Sequence, residues 1–192
     1  LLYGGRVSLA VGIFSTAVSV IVGIPLGMLA AFYRGAFEVV VMRLSDIFMS
    51  FPSTILILFL VSMFGPSIVT VTVVIGVLGW PKFARQIYGS VLSIREKDYI
   101  EGAVAIGAKD KLIITRYILP NAVAPIFISI TFRIASAIIL ESSLSFLGMG
   151  VQPPAASWGN MLYNAQSITI LTSRPWTVSY THLRAHETGA YL

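Results

Sequence analysis

The sequence predicts an all-α fold, a polytopic transmembrane helical bundle, and three observations carry that expectation. First, mean hydropathy is +0.86 and only 11% of residues are charged, where soluble globular chains carry roughly a quarter. Second, residues 7–33, 47–81 and 142–173 contain no charge at all. A span needs about 20 apolar residues, so the first run holds one helix and the second more than one. Third, basic residues gather in one place. Lys82, Arg85, Arg95, Lys97, Lys109, Lys111 and Arg116 face only Glu96, Asp98, Glu101 and Asp110 across residues 82–116. Lys and Arg mark the cytoplasmic side, so 82–116 is expected inside, with the uncharged Gly65-Pro66 turn and the segment 148–170 outside. The turn at Arg34 falls inside by alternation, and Arg6 is a minor exception. A formal net charge of +5 distributed this way does not point to nucleic acid.

The first element is "RVSLAVGIFSTAVSVIVGIPLGMLAAFY". Gly23 and Gly27 form a GxxxG pair with Ala30 and Ala31 beyond, a face that lets another helix approach closely. Intramolecular packing is the plainer reading of that pair, a subunit interface the other. Pro25 between them predicts a bend. After the polar turn "YRGAFE", residues 39–65 predict a second span in which Arg43 and Asp46 can pair three apart and Pro52 kinks the deeper part. Gly65-Pro66 ends it. The next helix opens at "SIVTVTVVIGVLGW" and continues past Trp80, an interfacial ring, and past Lys82 and Arg85, which snorkel. The last clear span runs from about Asn121 to Gly148. It carries Arg133 and Glu141, costly in hydrocarbon and therefore candidate functional residues. Eight residues apart, the two point about 80° from each other and need not meet. Arg133 is expected in the outer half, as a pathway residue or a local snorkel, and Glu141 at the outer helix end. "VQPPAASWGNML" then forms a Pro-rich outer loop containing Trp158 and Asn160.

Between the last two spans lies "EGAVAIGAKDKLIITRYILPN", residues 101–121. Asp98 as N-cap with Glu101 three residues later reads as a capping box, and Gly107 suits a left-handed stop. The expected helix is about two turns, roughly 12 Å long, with Gly102, Ala103 and Ala105 at its centre. An interfacial amphipathic helix would want larger apolar residues on one side. Small residues fit a surface where backbone comes close to another protein, a docking element. Asp110 is expected to cap a second helix.

Glu101-Gly102-Ala103, then Gly107, then Ile118-Leu119-Pro120 resembles the "EAA" signature of ABC-importer permease subunits. The stretches "GRVSLAVG", "GIPLGMLAAFY", "MRLSDIFMSFP", "GWPKFARQIYGSVLSIREKDYIEGA" and "ESSLSFLGMGVQPPAASWGNML" are similar to the second permease of dipeptide, oligopeptide and nickel importers. The resemblance covers residues 1 to about 176 and implies the type I ABC-importer permease (MetI-like) fold, truncated, with a coupling loop over about 93–120. It departs at Gly102, where the signature usually has Ala, a change of at most about 1 kcal/mol in helix propensity. The resemblance implies a non-enzymatic, multi-pass subunit of a prokaryotic inner membrane that forms the translocation pathway for di- or oligopeptides. Its partners would be a second permease, cytoplasmic ATP-binding subunits and an extracytoplasmic substrate-binding protein. Asp98, Glu101, Gly102, Ala103 and Gly107 would carry ATPase coupling, while Trp158, Gly159 and Asn160 would lie on the side where substrate arrives. The sequence has no GxxxxGK[ST] loop, so ATP hydrolysis is expected of a partner, with no cofactor here.

A nickel or other small-solute importer is the alternative within this class. A channel or secondary transporter is the alternative outside it, and would predict repeated halves with broken helices at the midplane. No internal repeat is evident. The sequence starts at Leu1 and is expected to be an internal fragment of a longer polytopic protein. Its residues 177–192 read as a non-native tail, since "SYTHLRAHET" looks like translated adapter sequence. His182 and His186 lie four apart there, but two ligands without a following Glu do not make an HExxH site. No metal site is expected, and the absence of cysteine excludes a thiolate one.

Overall fold

The computed structural model describes residues 2–152 and 154–164. The apolar pattern near Ile168 and the expected tail at 177–192, with both histidines, lie outside the described residues. All the described elements are helical: α1 (Leu2–Tyr33), α2 (Gly35–Ser50), α3 (Ser53–Phe64), α4 (Ile68–Arg95), α5 (Asp98–Ala105), α6 (Asp110–Leu112), a π-helical segment (Ile113–Ile118), α7 (Leu119–Phe146) and α8 (Trp158–Asn164). Three of the helical stretches, Leu2–Tyr33, Ile68–Arg95 and Asp110–Phe146, are long and apolar enough to cross a membrane. A fourth span results if α2 and α3 count as one.

The bundle is built on α1, which packs most extensively on α4 and next on α7. Its contact face is a run of small residues: Gly5, Ser8, Gly12, Ser15, Ser19, Gly23 and Gly27 are all buried. In hydrocarbon, helix association depends on close packing, and such residues let backbones meet. A methyl group placed on Gly23 would lie 2.6 Å from the Trp80 carbonyl oxygen, and one on Gly27 would lie 2.5 Å from Ile87 Cγ2. On Gly12 it would reach Ile138 Cγ1 of α7 at 2.7 Å. The Gly23–Gly27 pair is thus spent on α4 of the same chain. α1 continues unbroken through Pro25.

Pro52 does more than kink its helix. α2 and α3 meet at 88°, because proline supplies no N–H and forces the preceding residue out of the helical region. Phe51 is extended at φ −93°, ψ 141°. Two further expectations are corrected. Asp46 pairs with Arg85 of α4 rather than with Arg43. Trp80 is buried, stacked edge-on to Phe48 with centroids 6.0 Å apart, and is not an interfacial ring.

Of three hydrophobic clusters among the described residues, one joins Ala30, Val41, Trp80 and Ala84, and the other two lie toward the ends of the bundle. Val11, Ile57, Val61, Val71 and Leu144 gather near the Gly65-Pro66 turn. Ala31, Val91, Ile100, Ile113 and Ile118 gather at the other end. There Arg95 donates to the Ala31 and Phe32 carbonyls at 3.3 and 2.8 Å, closing the last turn of α1. The basic 95–118 segment and the uncharged 148–157 segment therefore occupy opposite ends.

Candidate functional site

The 101–121 stretch folds as expected in outline and differs at its start. α5 begins at Asp98, with Lys97 in the N-cap position and no side-chain cap. Asp98 and Glu101 therefore do not form a capping box. They sit in the first turn, where their negative charge complements the helix dipole. Asp110 likewise opens α6 without capping it, and Lys109 precedes it. The C-terminal stop is built as the sequence implies. Gly107 has φ 77°, its N–H donates to the Val104 carbonyl at 2.9 Å, and the Ala108 N–H donates to the Ala103 carbonyl at 3.0 Å. That pair of bonds is the Schellman arrangement, and glycine takes its left-handed position without a Cβ penalty.

α5 has two faces. Ile100 and Ala103 are buried in the core that includes Val91, Ile113, Ile118, Ala122 and Ile126. Ala103 is only 7% exposed, so it anchors the helix to its own chain. On the other face Glu101 and Gly102 are open, with nothing within 4 Å of a Cβ on Gly102. Val104 is 59% and Ile106 84% exposed. The segment returns to α7 through the π-helical turn, whose Ile113, Ile114 and Ile118 are buried. Packed side chains thereby join α5 to α4 and, through the π-helical turn, to α7.

At the opposite end, Glu141 is fully buried, five residues before the end of α7, which corrects the helix-end placement. Ser8 Oγ of α1 and Ser145 Oγ each donate to its carboxyl at 2.7 Å. The same two hydroxyls accept from the loop: Ser145 from the Val151 N–H at 3.0 Å, and Ser8 from the Trp158 N–H at 3.3 Å. Asn160 Nδ2 donates to the Val151 and Ala155 carbonyls, and Ser157 Oγ caps α8 by accepting from the Asn160 N–H. The Trp158 ring lies against Gly4 and Gly5. Trp158 therefore holds the loop to α1 and Gly159 packs it on Ser142 and Ser145 of α7, while Asn160 ties the loop to itself. Ser8, Ser145 and Ser157 were not legible as partners, although Ser145 falls one helical turn after Glu141.

Arg133 does not meet Glu141. Its Nη2 donates to the Ile75 carbonyl of α4 at 2.8 Å, over the open backbone of Gly79, while its Nε is buried without a partner. Arg133 sits near the midpoint of α7 and Lys82 near the midpoint of α4, each about 20 Å from either helix end.

Fold and site together define a multi-pass helical membrane protein, its spans tied at one end to a short two-faced helix and at the other to a hydrogen-bonded loop. Residues 23–178 match the family of binding-protein-dependent transport system inner membrane components, and the chain belongs to that family. It is 40% identical over 171 residues to the glutathione transport system permease protein GsiD of Pectobacterium atrosepticum, covering 89% of this chain and 57% of that protein. It is 37% identical over 180 residues to the dipeptide transport system permease protein DppC of Alkalihalophilus pseudofirmus, covering 94% of this chain and 59% of that one. The chain thus spans less than two thirds of the length of these curated relatives. Among solved structures, a chain of the MetNI methionine ABC transporter in inward-facing conformations is similar with a TM-score of 0.71 at 22% identity, over 88% of this chain and 81% of that one. That likeness shows the fold, the type I ABC-importer permease architecture.

Proposed function

We propose that the chain is the membrane-spanning permease subunit of an ATP-driven ABC importer for di- or oligopeptides in the inner membrane of a prokaryotic cell. Its similarity to glutathione and dipeptide permeases supports the substrate class. A second permease would complete the pathway, cytoplasmic ATP-binding subunits would supply the energy, and an extracytoplasmic binding protein would deliver solute to the loop held by Trp158 and Asn160. The mechanism is alternating access: closure of the ATPases moves α5, and α5 moves the spans.

The observation that carries this reading is the two-faced construction of α5. Ile100 and Ala103 lock it to the spans, while Val104 and Ile106 stand out from the bundle end. A loop that only connected two spans would gain nothing from exposed aliphatic side chains there. Glu101 and Gly102 complete the outward surface, and Gly107 fixes where it stops.

The absence of cysteine makes the test clean. Single cysteines at Val104 and at Ile106, in membranes that also contain the partner ATPase with single cysteines around its surface groove, are expected to form specific disulfides whose yield changes with ATP. A cysteine at Ala103 is expected to cross-link poorly. Efficient cross-linking at neither 104 nor 106, with both proteins present, would refute the docking role.

A further inference from the structure

Between α4 and α7 lies a groove of about 270 Å³, lined by Lys82, Gln86, Ser129, Phe132, Arg133 and Ser136. Its lining holds two cations and no carboxylate, and the one ion pair among the described residues, Arg85–Asp46, lies elsewhere. Lys82 and Arg133 come from antiparallel helices and sit near the middle of each, so they face the groove at the same depth. Lys82 and Ser136 are exposed and Arg133 is partly so. Two cations open at this depth toward hydrocarbon would be expensive, and such residues normally face water or a bound partner. Arg133 has donors to spare. A guanidinium carries five N–H groups, and Nη2 spends one on Ile75 while Nε has no partner.

We propose that this groove is a carboxylate-binding site on the translocation pathway, in which Arg133 and Lys82 hold the carboxylate of the solute as it crosses. The proposal rests on the importer reading and adds the chemical group recognised and the residues that recognise it. A guanidinium presents paired N–H groups that match a carboxylate, Lys82 adds a mobile ammonium, and Gln86, Ser129 and Ser136 offer neutral polar contacts around it. Every peptide with a free C-terminus carries the required group, whatever its side chains, so the site would be tolerant of sequence and selective for the terminus.

The test places a single cysteine at Ser136, in the transporter assembled with its partner subunits in proteoliposomes, and compares modification by anionic and cationic methanethiosulfonates. With Lys82 and Arg133 present, the anionic reagent is expected to be favoured by about tenfold relative to the K82Q/R133Q protein, and R133K is expected to keep the preference. Free L-alanyl-L-alanine is expected to slow modification, and its C-terminal amide is not. An unchanged reagent ratio in K82Q/R133Q, or a thiol that reacts with neither reagent, overturns the proposal. Equal protection by acid and amide, or by neither, also overturns it. Protection that needs no peptide and follows anionic lipid content would assign the groove to a lipid headgroup and overturn the solute site. Cross-linking at Val104 and Ile106 separates the two readings. Protection without cross-linking refutes the ATPase coupling alone, and cross-linking without protection refutes the groove alone.

Discussion

Replacing Glu141 with Leu is expected to loosen the 148–158 loop and destabilise the protein together. Leu approximates the side-chain volume but removes the acceptor for the two close hydroxyls, Ser8 and Ser145, and for a longer contact from Ser142 at 3.5 Å. Ser8 is 0% and Ser145 2% exposed, so neither can turn to bulk water. A buried polar group left without its partner costs about 1–3 kcal/mol, so the pair amounts to about 2–6 kcal/mol. The lower part of that range is the better expectation, because each serine can swing toward the carbonyl one turn back in its own helix. Doing so re-aims the oxygens that receive the Val151 and Trp158 N–H groups, and the loop loses two of its anchors. Net stabilities lie near 5–15 kcal/mol, so the effect is large. At about 2–4 °C per kcal/mol for a chain of this size, the melting temperature of the purified protein should fall by at least about 4 °C. Amide hydrogen exchange should accelerate at Val151 and Trp158. Glu141→Gln retains one acceptor oxygen and is expected to lose about half as much. An E141L protein that melts with the wild type and keeps its protection at both amides would refute the account of Glu141 as the hub of this end.

Other substitutions probe the rest of the fold. Gly27→Val should cost about 1–3 kcal/mol or more, read as a lowered melting temperature, since the added carbons meet the Ala84 backbone and Ile87. Gly102→Ala, where nothing lies within 4 Å, should raise stability by up to about 1 kcal/mol through helix propensity and leave cross-linking at Ile106 intact. Gly107→Ala should lose about 1–2 kcal/mol from its left-handed backbone and blur the cross-linking pattern as the helix end frays. Pro52→Ala restores an N–H at the bend, and spin labels at Val40 and Phe59, both exposed, are expected to move apart as α2 and α3 straighten.

The sequence by itself determined the class of fold and the place of the extramembrane helix. Charge-free runs can only be satisfied by helices whose backbones bond internally, and that is a property of composition. Gly107 was legible because a left-handed backbone needs glycine at that one position, and Gly65-Pro66 because proline and glycine act locally. Lys and Arg clustering separated one end of the bundle from the other.

What only the tertiary structure decided was which side chains meet across the chain. Asp46 had a partner three residues away in sequence, yet Arg85 took it, because α4 lies against α2. Trp80 and Ala103 looked outward by residue type and turned inward, Trp80 because α4 packs on the small-residue face of α1 and Ala103 because α5 packs on α4 and the π-helical turn. Glu141 became a buried hub because Ser8, 133 positions away, arrives beside it once α1 and α7 are packed. The approach of Lys82 and Arg133 to one groove has the same origin. Local chemistry fixed where each helix starts, stops and breaks, and the close packing of glycine-faced helices fixed which polar groups share a site.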